Sequence, residues 1–290
     1  MRHLDLFTGI GGFALAAQNV WEKDYEPVAF CEIDKFCQKV LGKHWPNVEI
    51  INDVKDDRIK QFRDIDLLTA GVPCQPASVA GKKRGTSDER WLWPETLDVI
   101  RAVRPRWALL ENVSGLFSLE DGKAFNGILS ELVEIGYDCW WEVIPACAIG
   151  APHRRDRIWI IAYARSKEPN GLSSKWKQEI LSVGGSGQDV ADSQNANGGR
   201  ADRTQNKRRG NQKIRRCSIK SRRFQYWSVE PNVGRVANGI PNRVDRLKAL
   251  GNAIVPQVAM AIMEGIRQQE GLYEKTITLH SSFHNVYGGR

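Results

Sequence analysis

Short apolar runs that alternate with amphipathic segments constrain this chain more than any other feature. Strand candidates are 2–6 (RHLDL), 27–31 (PVAFC), 66–70 (DLLTA), 107–111 (WALLE) and 157–163 (RIWIIAY), and helix candidates are 12–22, 34–42, 93–104 and 123–135. Strands that alternate with helices pair in parallel and bury both faces, so the expected fold is an α/β sheet with helices on both sides. Ligands of such sheets bind beyond the C-terminal ends of the strands. Past 230 a turn-rich stretch leads into an apolar helix at about 254–267, and the tail from 271 reads as loose polar sequence. The 290 residues suit one large domain, or one domain carrying a smaller insert.

Charge divides the chain. Residues 164–224 hold fifteen Lys/Arg and five Asp/Glu, a surplus of ten, whereas the rest of the chain is at −2 within a total of +8. The segment is also rich in Gly, Ser, Asn and Gln. Composition leaves two readings open: a solvated loop, or an insert that binds a polyanion, with Lys and Arg on phosphates and Asn, Gln and Arg on base edges. The six cysteines (31, 37, 74, 139, 147, 217) contain no CxxC pair. A zinc ribbon and a secreted disulfide scaffold are therefore poor readings, and free thiols in a reducing cytoplasm fit better. No apolar run approaches the roughly 20 residues of a membrane span, and Asp5 and Gly9 break the N-terminal apolar stretch, so no signal peptide is expected.

Five stretches carry chemistry-bearing residues. Asp5-Leu6-Phe7-Thr8-Gly9-Ile10-Gly11-Gly12-Phe13 joins the first strand to a helix; its glycines suit a tight turn against a ligand, or structure alone. It is not GxGxxG. Glu32 closes the second strand and suits the hydroxyls of a ribose, Asp34 suits a helix N-terminus, and Asp53 suits an adenine amino group. Pro73-Cys74-Gln75-Pro76 follows the strand ending at Ala70; a cysteine between near prolines sits on a rigid, non-helical loop and reads as a nucleophile. Glu111-Asn112-Val113 ends another strand, where the acid either caps a loop or, partly buried, has a raised pKa suited to holding a proton. Pro152-His153-Arg154-Arg155-Asp156-Arg157 would place Arg155 and Arg157 on one face of the next strand. Gly251-Asn252 opens the last helix, with Asn252 either an N-cap or a cofactor contact.

DLFTGIGGF, GVPCQPAS, ENV, PHRRDR and GNAIVP together, in this order and over nearly the whole chain, resemble the DNA cytosine-5 methyltransferase family, in a short form like its phage- or mobile-element-borne members. The resemblance implies a Rossmann-like sheet that uses S-adenosylmethionine, leaves S-adenosylhomocysteine and needs no metal. It implies a catalytic domain over 1–163 and 231–290, and a target-recognition region over 164–230. Double-stranded DNA is the implied substrate, with a target cytosine flipped out of the duplex.

By the same resemblance Cys74 attacks carbon 6, Glu111 serves ring N3, Arg157 with Arg155 serves the O2 carbonyl, and Asn112 braces the Pro73–Cys74 loop. Asp5, Phe7, Thr8, Gly9, Gly11, Gly12, Glu32, Ile33, Asp53 and Asn252 belong to the cofactor site. Gln75, Ser78, Lys82, Lys83 and Arg84, with Arg208, Arg209, Lys213, Arg215, Arg216, Arg222 and Arg223, are expected on DNA. Ala77, Val72, Ile33 and His153 depart from common family residues without removing an atom the chemistry needs. A monomer in the cytoplasm is the expected form, with a cognate restriction endonuclease left open as a partner. The tRNA-methylating branch is disfavoured by the basic insert, a non-catalytic DNA binder by the complete Cys74, Glu111 and Arg157 set, and a nucleotide-dependent oxidoreductase by the glycine pattern.

Overall fold

The computed structural model describes residues 1–73, 86, 88, 90–165 and 243–287. Its strands are β1 (Arg2–Leu6), β2 (Glu26–Cys31), β3 (Glu49–Ile51), β4 (Leu67–Gly71), β5 (Trp107–Val113), β6 (Tyr137–Pro145) and β7 (Asp156–Ala164). Its α-helices are α1 (Gly12–Trp21), α2 (Lys35–His44), α3 (Trp93–Val103), α4 (Lys123–Ile135), α5 (Arg243–Asn252) and α6 (Pro256–Tyr287). One seven-stranded sheet runs in the order β3-β2-β1-β4-β5-β7-β6.

Alternate side chains of each strand point to opposite faces, and each face has its own apolar core. On one side Leu68 of β4 and Leu110 of β5 pack with Leu97 and Ile100 of α3 and Ile128 and Leu132 of α4. On the other side Leu67 and Leu109 pack with Phe13, Ala17 and Val20 of α1 and Val258, Ile262 and Ile266 of α6. The expected α/β sheet with helices on both faces is what forms.

Two details differ from the sequence reading. All-parallel pairing holds only from β3 to β5. β7 lies antiparallel between β5 and β6, making the sheet mixed. Only ten residues join β6 to β7, too few for a parallel crossover, so the chain doubles back. β6 itself escaped notice because Asp138 and Glu142 interrupt its apolar pattern at the sheet edge. The second difference is the tail, where the backbone of α6 stays helical to Tyr287. Nothing between Gly271 and Gly288 is glycine or proline, so no residue there breaks the helix.

The stretch Val244–Gly271 is long and apolar enough by composition to cross a membrane, which the sequence reading had not anticipated. The fold turns the chain between α5 and α6, and it buries Val258, Ala259, Ile262, Met263 and Ile266 against α1.

Candidate active site

β1 has β2 on one side and β4 on the other, and the chain winds outward from it in both directions. A crevice therefore opens beyond the C-terminal ends of β1, β2, β4 and β5. There a cavity of about 690 Å³ is lined at one end by Phe7, Gly9, Glu32, Ile33, Asp34 and Asp53. Its other end is lined by Pro73, Glu111, Asn112, Arg155 and Arg157, and Lys248 and Asn252 of α5 close one side.

The acidic end is tied together by backbone donors. Phe7 (φ 53) and Gly9 (φ 59) both adopt left-handed backbone, uncommon for a phenylalanine and a sign of a constrained turn. Thr8 pins the turn by donating from N to Cys31 O at 3.0 Å and from Oγ1 to Asp5 O at 2.8 Å. Glu32 then spans two loops, its Oε2 accepting from Gly9 N at 2.6 Å and its Oε1 from Asp34 N at 2.7 Å. Asp34 caps α2 by accepting from Phe36 N and Cys37 N. Ile33 is 71% exposed and leaves an apolar surface beside these acids.

Four residues of the motif near β1 turn away from the cavity. Asp5 is fully buried inside the sheet, where Oδ1 accepts from Thr69 Oγ1 at 2.6 Å and Oδ2 has no partner among the described residues. Burial pushes its pKa up to about 8. Thr69 bonds in turn to His3 Nε2 at 2.7 Å, and His3 Nδ1 to Tyr25 Oη at 2.9 Å. With Thr69 Oγ1 donating to Asp5, its oxygen is left to accept from His3 Nε2, and in that tautomer Nδ1 accepts from Tyr25. Thr8 is likewise spent on the turn. A Cβ on Gly11 would lie 2.5 Å from Trp45, and one on Gly12 2.6 Å from Ile254, so these glycines serve helix packing.

The basic end rests on strand pairing. In the β5–β7 ladder Glu111 faces Trp159 and Val113 faces Arg157. Arg157 Nε lies 3.0 Å from Glu111 Oε1. Glu111 is only 8% exposed. Burial raises its pKa, against the opposing pull of the Arg157 and Arg155 charges. Asn112 donates from Nδ2 to Val72 O at 3.2 Å and accepts from Val113 N at 2.8 Å, fixing the chain two residues before Cys74.

Arg155 departs from the expected geometry. β7 begins at Asp156, so the two arginines do not share a strand face. Left-handed backbone at Arg155 (φ 40) turns its side chain to donate from Nη2 to Gly251 O at 3.1 Å and Ala253 O at 2.7 Å. Burial lowers its pKa, with the Arg157 charge adding to the effect. Asn252 is also corrected: it ends α5, and the last helix starts at Pro256, so Asn252 is not that helix's N-cap. Proline suits a first helical position because its missing N–H is not needed there.

Pro73 lines the cavity and is bonded to Cys74. Cys74, Gln75, Ser78, Lys82, Lys83 and Arg84 lie outside the described residues, as do Arg208, Arg209, Lys213, Arg215, Arg216, Arg222, Arg223 and the whole of 166–242. Among the other cysteines, burial pushes the thiols of Cys31, Cys37 and Cys139 up to about 12, so they stay protonated and inert. Lys248 was not anticipated: its Nζ reaches Asp34 Oδ2 at 2.8 Å across the cavity rim. No local pattern could signal a pair separated by 214 positions. Among the described residues no three His, Cys, Asp or Glu side chains gather as a metal site.

Comparison with known proteins bears on the whole arrangement. Residues 1–234 match the family described as C-5 cytosine-specific DNA methylase. The type II methylase M.HgiEI of Herpetosiphon aurantiacus is 33% identical over 174 residues, covering 59% of this chain and 39% of that protein. The type II methyltransferase M2.BsuMI of Bacillus subtilis is 35% identical over 167 residues, covering 56% and 42%. The orphan methyltransferase M.Rho11sI of Bacillus phage rho11s is 30% identical over 240 residues, covering 81% and 42%. These matches span about two fifths of the relatives' own length. The match to the family takes in β1 to β7, and with them the loop that carries Glu32 and the strands that carry Glu111 and Arg157; the chain belongs to the C-5 cytosine-specific DNA methylase family.

Proposed function

We propose that this chain transfers a methyl group from S-adenosylmethionine to carbon 5 of a flipped-out cytosine in a specific double-stranded DNA sequence. The observation that carries the reading is the pair of buried Glu111 and half-buried Arg157, 3.0 Å apart, facing an acid-lined pocket in one cavity. The pocket suits an adenosyl group. Glu32 and Asp53 offer carboxylates to hydroxyl and amino groups, Ile33 offers an apolar surface to a base, and Gly9 leaves open space where a side chain would stand. Glu32, Ile33, Asp53, Asn252, Phe7 and Gly9 would hold the cofactor; Asp5, Thr8, Gly11 and Gly12 would support them from behind. When bound, S-adenosylmethionine supplies a methyl group activated by its sulfonium.

Carbon 5 of cytosine is a weak nucleophile. The Cys74 thiolate forms a bond to carbon 6, and the electrons pushed toward carbon 5 let it take the methyl group. Glu111, whose pKa burial raises, shares a proton with ring N3 as charge builds there. Arg157 stabilises the O2 carbonyl. Loss of the carbon-5 proton and departure of Cys74 restore the ring. Asn112 steadies the backbone leading to Pro73 and Cys74. Gln75, Ser78, Lys82, Lys83 and Arg84 would meet the DNA near the target base. Residues 164–230 would supply recognition, with Arg208, Arg209, Lys213, Arg215, Arg216, Arg222 and Arg223 on phosphates or bases. The reading has the chain acting as a monomer on cytoplasmic DNA.

Bisulfite sequencing of plasmid DNA from cells expressing the chain tests this, with Cys74→Ala as control. A short motif methylated by the wild type alone is the expected result. Equal methylation by Cys74→Ala would sink the mechanism, and absence of methylation with intact cofactor binding would point to an RNA substrate or a non-catalytic binder.

A further inference from the structure

Resting on that reading, we infer that Arg155 is a positioning residue that holds the α5 wall of the cofactor pocket, and that it makes no second contact to the cytosine carbonyl. The backbone reversal at Arg155 aims its guanidinium at the turn joining α5 to α6. Nη2 donates to the carbonyls of Gly251 and Ala253, the two residues flanking Asn252. These carbonyls sit at the C-terminal end of α5, where backbone acceptors lose their helical partners and a cation is favoured. Both bonds come from Nη2, which turns that edge of the guanidinium to the turn, while Nε is buried with no partner among the described residues. Arg157, two positions on, commits its Nε to Glu111 instead.

On α5, Ala249 is buried, whereas Val244, Leu247 and Leu250 stand exposed. Apolar packing therefore holds this helix weakly. A further polar tie of α5 joins Lys248 to Asp34, at the opposite edge of the same pocket. Arg155 also borders both the main cavity and a second, largely apolar cavity behind the turn, so it stands in the partition between them. Ile254 and Val255 pack the far side of the turn on the core, so Arg155 is its polar anchor, and without it a ligand contact made through Asn252 loses its geometry.

The test is calorimetric binding of S-adenosylhomocysteine to the full chain, combined with a split of kcat from the cofactor KM. Arg155→Ala should weaken binding about tenfold or more, the scale of lost charged hydrogen bonds. Its kcat at saturating cofactor should stay within a few-fold of wild type. Arg155→Lys should recover most of the affinity, because an ammonium can still donate to both carbonyls. Lys248→Met, which leaves Arg155 in place, should weaken binding a few-fold and serves should Arg155→Ala fail to fold. Arg157→Ala should leave the affinity within about threefold while turnover collapses. Unchanged affinity in Arg155→Ala with a large loss of kcat would overturn the inference and return Arg155 to the substrate. Failure of the wild type to bind S-adenosylhomocysteine would overturn the proposed function itself.

Discussion

The two ends of the cavity are built by different means. At the acidic end each functional group follows its own strand directly: Phe7 and Gly9 after β1, Glu32 after β2, Asp53 after β3. Backbone N–H donors fix the Glu32 carboxylate, and the ties are local to two adjacent βα turns. At the basic end Glu111 and Arg157 meet only because β7 pairs antiparallel with β5 in one register. A slip of one residue would send Arg157 to the other face of the sheet. The acidic end is thus a product of turns, suited to holding a ligand. The basic end is a product of sheet register and burial, suited to holding a proton.

Exchanging the acid of the basic end breaks this comparison most sharply. Glu111→Gln keeps the shape and removes the proton, so turnover should fall by about 10² to 10⁴, the range of general acid–base catalysis. S-adenosylhomocysteine affinity should be unchanged, since the acidic end stands on other strands. Loss of affinity in proportion to turnover would show that the two ends are one unit. The pH profile sharpens the point. Glu111 works protonated, and burial holds its pKa above the ordinary carboxylate value, so activity should fall as pH rises through that raised pKa. Arg155 pulls the same pKa down, so in Arg155→Gln the alkaline limb should move to higher pH. A shift to lower pH would contradict the electrostatics.

A second prediction concerns the floor beneath the acidic end. Asp5 has its folded pKa raised from 3.8 to about 8 by burial, with the Glu32 charge adding to it. The folded state therefore binds this proton more tightly than the unfolded chain. Its stabilising contribution is complete below about pH 4 and is lost as pH rises toward 8. Asp5→Asn removes the titration while Oδ1 can still accept from Thr69. Between pH 5 and 8 the wild type should lose stability relative to Asp5→Asn, by a few kcal/mol on the scale of about 1.4 kcal/mol per pKa unit. Parallel denaturant curves across that window would refute it. His3, whose burial lowers its pKa from 6.5 to about 3, stays neutral in the folded state but takes up a proton when unfolded, so it adds an opposite slope below about pH 7 that both proteins share and that cancels in the comparison.

This contrast also explains what could be read from the sequence. The acidic end was largely legible, because a strand followed by Gly or Glu and then a helix is a local pattern, and β1 falls on the expected residues. Asp5, Gly11 and Gly12 belong to the same motif, yet they face the sheet interior, Trp45 and Ile254 respectively, which only packing decides. The Glu111–Arg157 pairing needed a register that no local pattern carries, and the antiparallel β7 contradicted a rule that holds for the first five strands. Asn252 was placed at the start of a helix because Gly-Asn before an apolar run looks like a cap. The proline at 256 moves that start, and Lys248 came to the pocket through a contact 214 residues away.

The smallest expected effect separates the glycines of the β1 turn, which look alike in sequence. Gly9 and Gly11 both have positive φ, 59° and 88°. A Cβ on Gly9 meets nothing within 4 Å, whereas one on Gly11 would press to 2.5 Å on the Trp45 ring. Gly9→Ala should therefore cost only backbone strain, about 1 kcal/mol, and act mainly on cofactor affinity, because its Cβ enters the space the ligand needs. Gly11→Ala adds overpacking and should cost about 2–4 kcal/mol of stability with little effect on affinity in the folded fraction. Replacing Trp45 with leucine in the Gly11→Ala background should return part of that stability, because the clash is with the ring and not with backbone. If Gly9→Ala proves the more destabilising of the two, the turn is held by the conformation of residue 9, and the division between a ligand-facing and a packing-facing glycine is wrong.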